Sequence, residues 1–351
     1  MLNYSLEKKT FIFKTPSGTS RGILSEKHAW FISIWDDGNP EVIGVGECSI
    51  IPGLSPDFFD FDSYEKHIHL FCSIYIQNLT LKDFEEHLFY ETDLFQSLQK
   101  FPSILFGIET ALQDLSHGGK KILFESSFTR KEVQIPINGL IWMGSEEFMQ
   151  KQIAEKLQQN YSCIKMKIGA IDFEREFEIL KSIRSKNEEL ILRVDANGAF
   201  SFEEALEKMA QLASLNIHSI EQPIKAGNWL QMAHLCQETK LPIALDEELI
   251  GIYKREEKIN LIDTIKPQYI ILKPSLHGGF YGCKEWIELA ETRNIPWWMT
   301  SALESNVGLN AIAQFTATFE NNLHQGLGTG SLYVENTESN LVIDNGFLTI
   351  N

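Results

Sequence analysis

The stretch "LILRVDANGAFSFEEALEKMAQLASLNIHSIEQP" (residues 190–223) holds a strand, a helix and a second strand, and each strand ends on an acid. "LILRVD" stops at Asp195 and "IHSIE" at Glu221, with the helical "SFEEALEKMAQLAS" between them. Such a unit joins parallel strands through a crossover helix. The pattern recurs from residue 133 onward, with strands expected at about 133–138, 162–168, 190–195, 217–221, 242–246, 268–273, 296–300 and 323–327. Eight parallel strands close a (β/α)8 barrel of the TIM type, for which about 200 residues is at the short end. On pattern alone a doubly wound open sheet also fits.

The first hundred residues read differently. "WFISIW" (30–35) and "EVIGVGE" (41–47) flank the turn-rich "DDGNP", which predicts a hairpin. The loop "CSIIPGLSPD" and amphipathic helical sequence follow, to about Lys100. This is an α+β layer separate from the barrel.

Composition bounds the partners. With 43% hydrophobic and 23% charged residues the chain reads as a soluble globular protein. Its 31 basic against 48 acidic residues give a formal charge of -17, which disfavours nucleic acid and anionic membrane as partners. There is no apolar core of a signal peptide and no run of about 18 apolar residues to span a bilayer, so a cytoplasmic protein is expected. The five cysteines are scattered without a CxxC pair, and are expected to be reduced packing residues rather than disulfides or zinc ligands.

One charged residue recurs at the same end of successive strands. Lys167, Asp195, Glu221, Asp246 and Lys273 are separated by 28, 26, 25 and 27 residues, each about one βα unit. In a barrel these carboxyl ends form the active-site face. Three converging carboxylates repel one another unless a cation joins them, and an all-oxygen set without His or Cys suits a hard octahedral ion such as Mg²⁺. In "SCIKMKIG" (162–169), Lys165 and Lys167 share one strand face about 6.6 Å apart, while Ile164, Met166 and Ile168 face the helices. A neighbouring ammonium and a divalent cation both disfavour protonation of an amine, which suits one of these lysines to general-base work. Lys273, from the sixth strand, faces them across the barrel. Lysines on two sides of a metal site make a place for a carboxylate substrate that loses its α-proton.

The order "KMK", "VDAN", "EQP", "LDE" and "LKPSLHGG" resembles the muconate-lactonizing subgroup of the enolase superfamily. "GVGECSIIPGLSPD" and "FGIETALQDL" are similar to that subgroup's capping-domain and first-helix signatures. Within it the chain is most similar to the o-succinylbenzoate synthases, through "LKPSLHGG", "SALESNVGL" and "GLGTG". The resemblance implies a capping domain at 1–105, with the tail 331–351 packing back on it, and a catalytic barrel at 106–330. It implies Mg²⁺, replaceable by Mn²⁺, on Asp195, Glu221 and Asp246. Lys167 becomes the base, Lys273 the cation on the opposite substrate face, and Lys165 a group that tunes Lys167.

The implied reaction dehydrates 2-succinyl-6-hydroxy-2,4-cyclohexadiene-1-carboxylate to 2-succinylbenzoate, a step of menaquinone synthesis. The alternative is an N-acylamino-acid racemase or dipeptide epimerase of the same superfamily. "QGLGTGSLY" lacks the acids with which dipeptide epimerases meet an amino group. A barrel without catalysis, serving as a scaffold, is disfavoured because every ligand position is filled. The substrate is a small carboxylate, and a homo-oligomer is open. Candidate substrate contacts are Arg193, Asn197, Ser301 and Arg21. For Arg193 an internal ion pair fits equally, and for Ser301 a helix cap. Arg21 sits in a stretch read as a mobile loop (17–27). Glu247 is expected to orient ligands, and His277 to be solvent-exposed without a role.

Overall fold

The structure is a computed structural model that describes residues 1–19, 22–169 and 171–351. β1 (Leu2–Thr19), β2 (Gly22–Asp36) and β3 (Asn39–Ser49) form an antiparallel sheet in that order. Alternation along β2 sorts its residues. Trp30, Ile32 and Ile34 pack on the helices of this layer, while Ala29 and Phe31 join Leu276, Ala302 and Leu303 of the barrel. Most of the expected 17–27 loop is strand, since Gly22 to Lys27 open β2. Arg21 lies outside the described residues.

Helices α1 (Phe61–Tyr75), α2 (Leu81–Glu85), α3 (Asp93–Leu98) and α4 (Pro102–Ser116) cover the sheet. α4 lies so close on β3 that a Cβ on Gly46 would stand 1.8 Å from the Gly107 carbonyl oxygen. That close approach is what the glycines of "VIGVGE" permit. α4 serves two cores: Phe106 belongs to the barrel cluster, and Ile104, Ile108 and Leu112 to the amino-terminal one. A boundary drawn at 105/106 therefore falls within this helix.

β4 (Ile135–Pro136) precedes β5 (Gly139–Ile141), β6 (Cys163–Lys167), β7 (Ile191–Asp195), β8 (Ser219–Glu221), β9 (Ile243–Leu245), β10 (Tyr269–Leu272) and β11 (Trp297–Met299). β5 to β11 are parallel neighbours in sequence order. The helices that follow them are α5 (Glu146–Gln158), α6 (Phe173–Lys186), α7 (Phe202–Ala213), α8 (Trp229–Glu238), α9 (Arg255–Ile265), α10 (Gly279–Glu291) and α11 (Asn306–Thr316). Outward residues such as Ile164, Met166, Leu192, Val194 and Ile220 bury themselves against these helices in the largest core cluster.

Two expected strands take another form. The first, at 133–138, divides: β4 pairs with the tail, and β5 begins the barrel. The eighth, at 323–327, is no continuous strand and closes the ring through the bridges Ile137–Gln325 and Thr300–Gly326. The tail also divides. Tyr333 bridges to Phe13 of β1, whereas β12 (Leu341–Asp344) and β13 (Phe347–Ile350) form a hairpin that pairs with β4, so Leu348 enters the barrel core.

Two buried acids clamp the layers together. Glu47 of β3 accepts hydrogen bonds from the Ser305 N–H (2.9 Å), the Ser305 hydroxyl (2.6 Å) and the Gly308 N–H (2.9 Å) at the start of α11. Glu109 of α4 accepts from Phe280 N–H (2.6 Å) and Tyr281 N–H (3.1 Å) at the start of α10, and from the Tyr90 hydroxyl (3.1 Å) of its own layer. Helix amino termini favour carboxylates because their N–H groups are unpaired and aligned. Burial works against ionisation, pushing Glu109 up to about 8. All five cysteines are buried and free. Among the described residues no helix is long and apolar enough to cross a membrane.

Candidate active site

Strand register aligns the charges. Lys165 lies opposite Arg193, Lys167 opposite Asp195, and Asp195 opposite Glu221 on adjacent parallel strands. Asp246 follows β9 and Lys273 follows β10, at the same end. Lys165 Nζ donates to Glu221 Oε2 at 2.5 Å and stands 2.9 Å from Asp195 Oδ2. Lys167 Nζ donates to Asp195 Oδ2 at 2.8 Å, and Lys273 Nζ to Asp246 Oδ2. Three acids and three lysines thus meet at one end of the barrel.

Burial opposes ionisation of Asp195, but Lys165 and Lys167 outweigh it and hold the carboxyl well below its usual range. Glu221 goes the other way: burial and the charge of Asp195 push it well above the carboxylate range, against the pull of Lys165. Lys165 and Lys273 are both raised, because their acid neighbours outweigh burial.

The acids fit a divalent cation. Among the described residues Glu221 Oε1 and Asp246 Oδ1 are buried without any hydrogen-bond partner, an expensive condition that an ion would relieve. Among the described residues no three side chains already surround an ion position, since the lysines stand between the acids. The oxygen-only donor set suits Mg²⁺ or Mn²⁺.

Above this floor is a cavity of about 430 Å³. Lys165, Lys167, Asp195, Asn197, Glu221 and Lys273 line its base, and Leu24, Ile51 and Leu54 reach it from the amino-terminal layer. Trp142, Phe148, Gly326 and Thr329 complete it from the barrel. Lys14, Lys151, Glu155 and Lys156 also line it, so a wall of mixed apolar and charged side chains stands over a charged floor.

A family model described as "Enolase C-terminal domain-like" matches residues 149–351. The chain is 45% identical to o-succinylbenzoate synthase of Desulfotalea psychrophila over 99% of both chains. It belongs to the enolase superfamily, in the o-succinylbenzoate synthase family. The crystal structure of MenC from the same organism superposes with a TM-score of 0.86 at 42% identity, covering 99% of each chain. N-succinylamino acid racemase of Thermus thermophilus is 32% identical, but over 51% of this chain and 46% of that one.

Within this synthase-family site the expected substrate contacts separate. Asn197 lines the cavity, but its carbonyl oxygen accepts from Lys167 at 2.6 Å and its amide donates to Glu247 Oε1 at 3.0 Å. Ser301 also lines it, yet its hydroxyl donates to Glu304 Oε2 at 2.7 Å and accepts from Leu303 N–H at 2.9 Å. Arg193 is not brought to the cavity. Its guanidinium stacks 3.9 Å over Trp298 inside the barrel and donates to the His324 carbonyl at 2.7 Å.

His277 corrects the expectation of exposure, being only 2% exposed. The chain wraps back there through Gly278 and Gly279, whose φ of 90° and 68° favour glycine, and His277 Nδ1 accepts the Lys273 N–H at 2.9 Å. Burial, helped by Lys273 and Lys258 against Asp246, pushes its pKa down to about 3. The unfolded imidazole binds a proton below its ordinary 6.5 while the folded one does not until about 3, so stability falls as pH falls through that window. The loss is expected to reach about 3 kcal/mol by pH 4. His277→Asn keeps an acceptor for Lys273 N–H and is expected to remove most of this acid slope in urea unfolding measured from pH 7 to pH 4. An unchanged slope would exclude His277 as its source.

Of the buried charged groups that escaped the sequence reading, Glu304 and Lys27 meet the cavity-lining Ser301 and Ala302. Glu304 accepts from Ser275 (2.5 Å) and Ser301 (2.7 Å), and the one signal for it was an acid among the small residues of "SALESN". Lys27 is buried in β2 and donates to the Ala302 carbonyl, for which a lysine in an alternating strand gives no sign.

Proposed function

We propose that this chain is a Mg²⁺-dependent o-succinylbenzoate synthase with Lys167 as its base. The observation that carries the reading is the convergence of Asp195, Glu221 and Asp246 with Lys165, Lys167 and Lys273 under one cavity. Lys167 takes the α-proton of 2-succinyl-6-hydroxy-2,4-cyclohexadiene-1-carboxylate, breaking the C–H bond. The ring C–O bond then breaks, the departing hydroxyl receives that proton from Lys167, and water leaves as the aromatic ring of 2-succinylbenzoate forms.

β6 and β10 stand four places apart in the sheet, half-way round an eight-membered ring, so Lys273 meets the opposite ring face. Its positive charge stabilises the anion that builds there. Lys165 is shared by Asp195 and Glu221, and its charge tunes the neighbouring Lys167. Asp195, Glu221 and Asp246 would hold Mg²⁺, with Mn²⁺ as a substitute, and the bound ion supplies Lewis-acid stabilisation of the substrate carboxylate. On this reading residues 1–105 cap a barrel at 106–330, and the enzyme serves cytoplasmic menaquinone biosynthesis.

The racemase reading draws on the same opposed lysines and on the partial match to the Thermus enzyme. Diene absorbance decides between them. Its loss is expected with Mg²⁺ and not with EDTA. Persistence of the diene in protein that binds Mg²⁺ would reject the synthase. Lys273→Arg is a second arm: a synthase keeps measurable turnover because the cation remains, whereas a racemase, which needs a proton donor and acceptor on both faces, loses about 10²–10⁴-fold.

A further inference from the structure

Lys167 Nζ has two hydrogen-bond acceptors among the described residues, Asp195 Oδ2 at 2.8 Å and Asn197 Oδ1 at 2.6 Å. A neutral amine carries two N–H bonds and one lone pair in tetrahedral array. With both N–H bonds held by these acceptors, the lone pair takes the remaining direction, and Lys167 lines the cavity.

Asn197 serves as an acceptor only while its carbonyl, and not its NH₂, faces the amine. The far side of the amide enforces this. Asn197 Nδ2 donates to Glu247 Oε1 at 3.0 Å, and a carboxylate accepts without donating. A turned amide would set oxygen against oxygen there and donor against donor at Lys167. The backbone holds the residue in place with φ 45°, a left-handed conformation that Asn tolerates, and with its N–H on Asp195 Oδ1 at 3.0 Å.

We infer that Asn197 and Glu247 are positioning residues that aim the electron pair of Lys167 at the reacting carbon. The inference rests on Lys167 being the base, as in the proposed function. It deepens that reading in one respect: the direction that receives the proton from carbon is also the direction from which the new N–H faces the departing hydroxyl. Removal and return of the proton on one substrate face then need no turn of the amine.

Four variants test this, with kcat and KM for diene loss and the Mg²⁺ dissociation constant by calorimetry. Asn197→Ala is expected to lower kcat about 10²-fold while KM and Mg²⁺ affinity stay within about threefold. Glu247→Gln, whose amide accepts Asn197 in either orientation, is expected to cost about tenfold in kcat. Asn197→Asp sets two acids face to face, and Asn197→Asp with Glu247→Gln restores a donor between them. The double variant is therefore expected to be faster than Asn197→Asp alone.

Unchanged kcat in Asn197→Ala overturns the inference, as does a loss matched by weaker Mg²⁺ binding. So does a double variant slower than both single ones. Should the wild-type protein exchange α-deuterium in N-succinylphenylalanine while leaving the diene intact, the synthase reading fails. The same variants are then compared on exchange, where equal rates would overturn the aiming role separately.

Discussion

Lys167→Ala is expected to lower kcat for diene dehydration by about 10⁴-fold, the upper end of what a positioned base contributes, while the protein still folds and binds Mg²⁺. The size of the effect follows from the lack of a substitute. Lys165 is tied to Glu221 at 2.5 Å and to Asp195 at 2.9 Å, and in the metal-free protein these acids raise its pKa. Lys273 is committed to Asp246 and raised in the same way, and it approaches from the other side of the ring. Neither can offer a lone pair to the carbon that Lys167 serves. Folding is spared because Asp195 keeps Lys165 as a counter-charge, so the truncation strands no buried carboxylate. Steady-state diene absorbance beside a melting curve and Mg²⁺ calorimetry makes the check. Residual activity within tenfold of wild type would remove Lys167 from the reaction, and a collapsed melting curve would show its role to be structural.

Spacing exposed the barrel and its charged floor because both follow from a repeat. One βα unit per charged strand end predicts convergence on one rim, and β6 to β10 deliver it. Parity along a strand gives the face but not the depth. Arg193 shares the inward face of Asp195, yet lies two residues lower, where it meets Trp298 and His324 instead of the cavity. Ser301 reaches the cavity with its hydroxyl already engaged by Glu304 three residues on, a local turn that strand reading does not resolve. The clamps made by Glu47 and Glu109 were not legible, because each acid meets a helix start that is distant along the chain. For the tail, residues 341–350 had a closer alternative than the capping layer in the free edge of β4.

Glu221→Gln is expected to separate metal binding from folding. In the metal-free protein the Glu221 charge is unfavourable: burial and Asp195 push the carboxyl well above its usual range, and Oε1 has no partner. Glutamine keeps an oxygen for Lys165, which Oε2 accepts at 2.5 Å, and replaces the partnerless atom with an amide nitrogen. The metal-free melting temperature should therefore stay level or rise. With Mg²⁺ the order reverses. At a hundred times its dissociation constant the ion stabilises wild type by about 2.7 kcal/mol, and this increment should vanish in the variant together with diene turnover. The reversal distinguishes a ligand from a structural acid, since a carboxylate needed for folding would weaken the protein in both conditions. A variant that keeps the Mg²⁺ increment would place the ion away from Glu221. One that melts far lower without metal would mean that the Lys165–Glu221 pair stabilises the barrel by itself, and the acids would then have to be explained by the lysines alone.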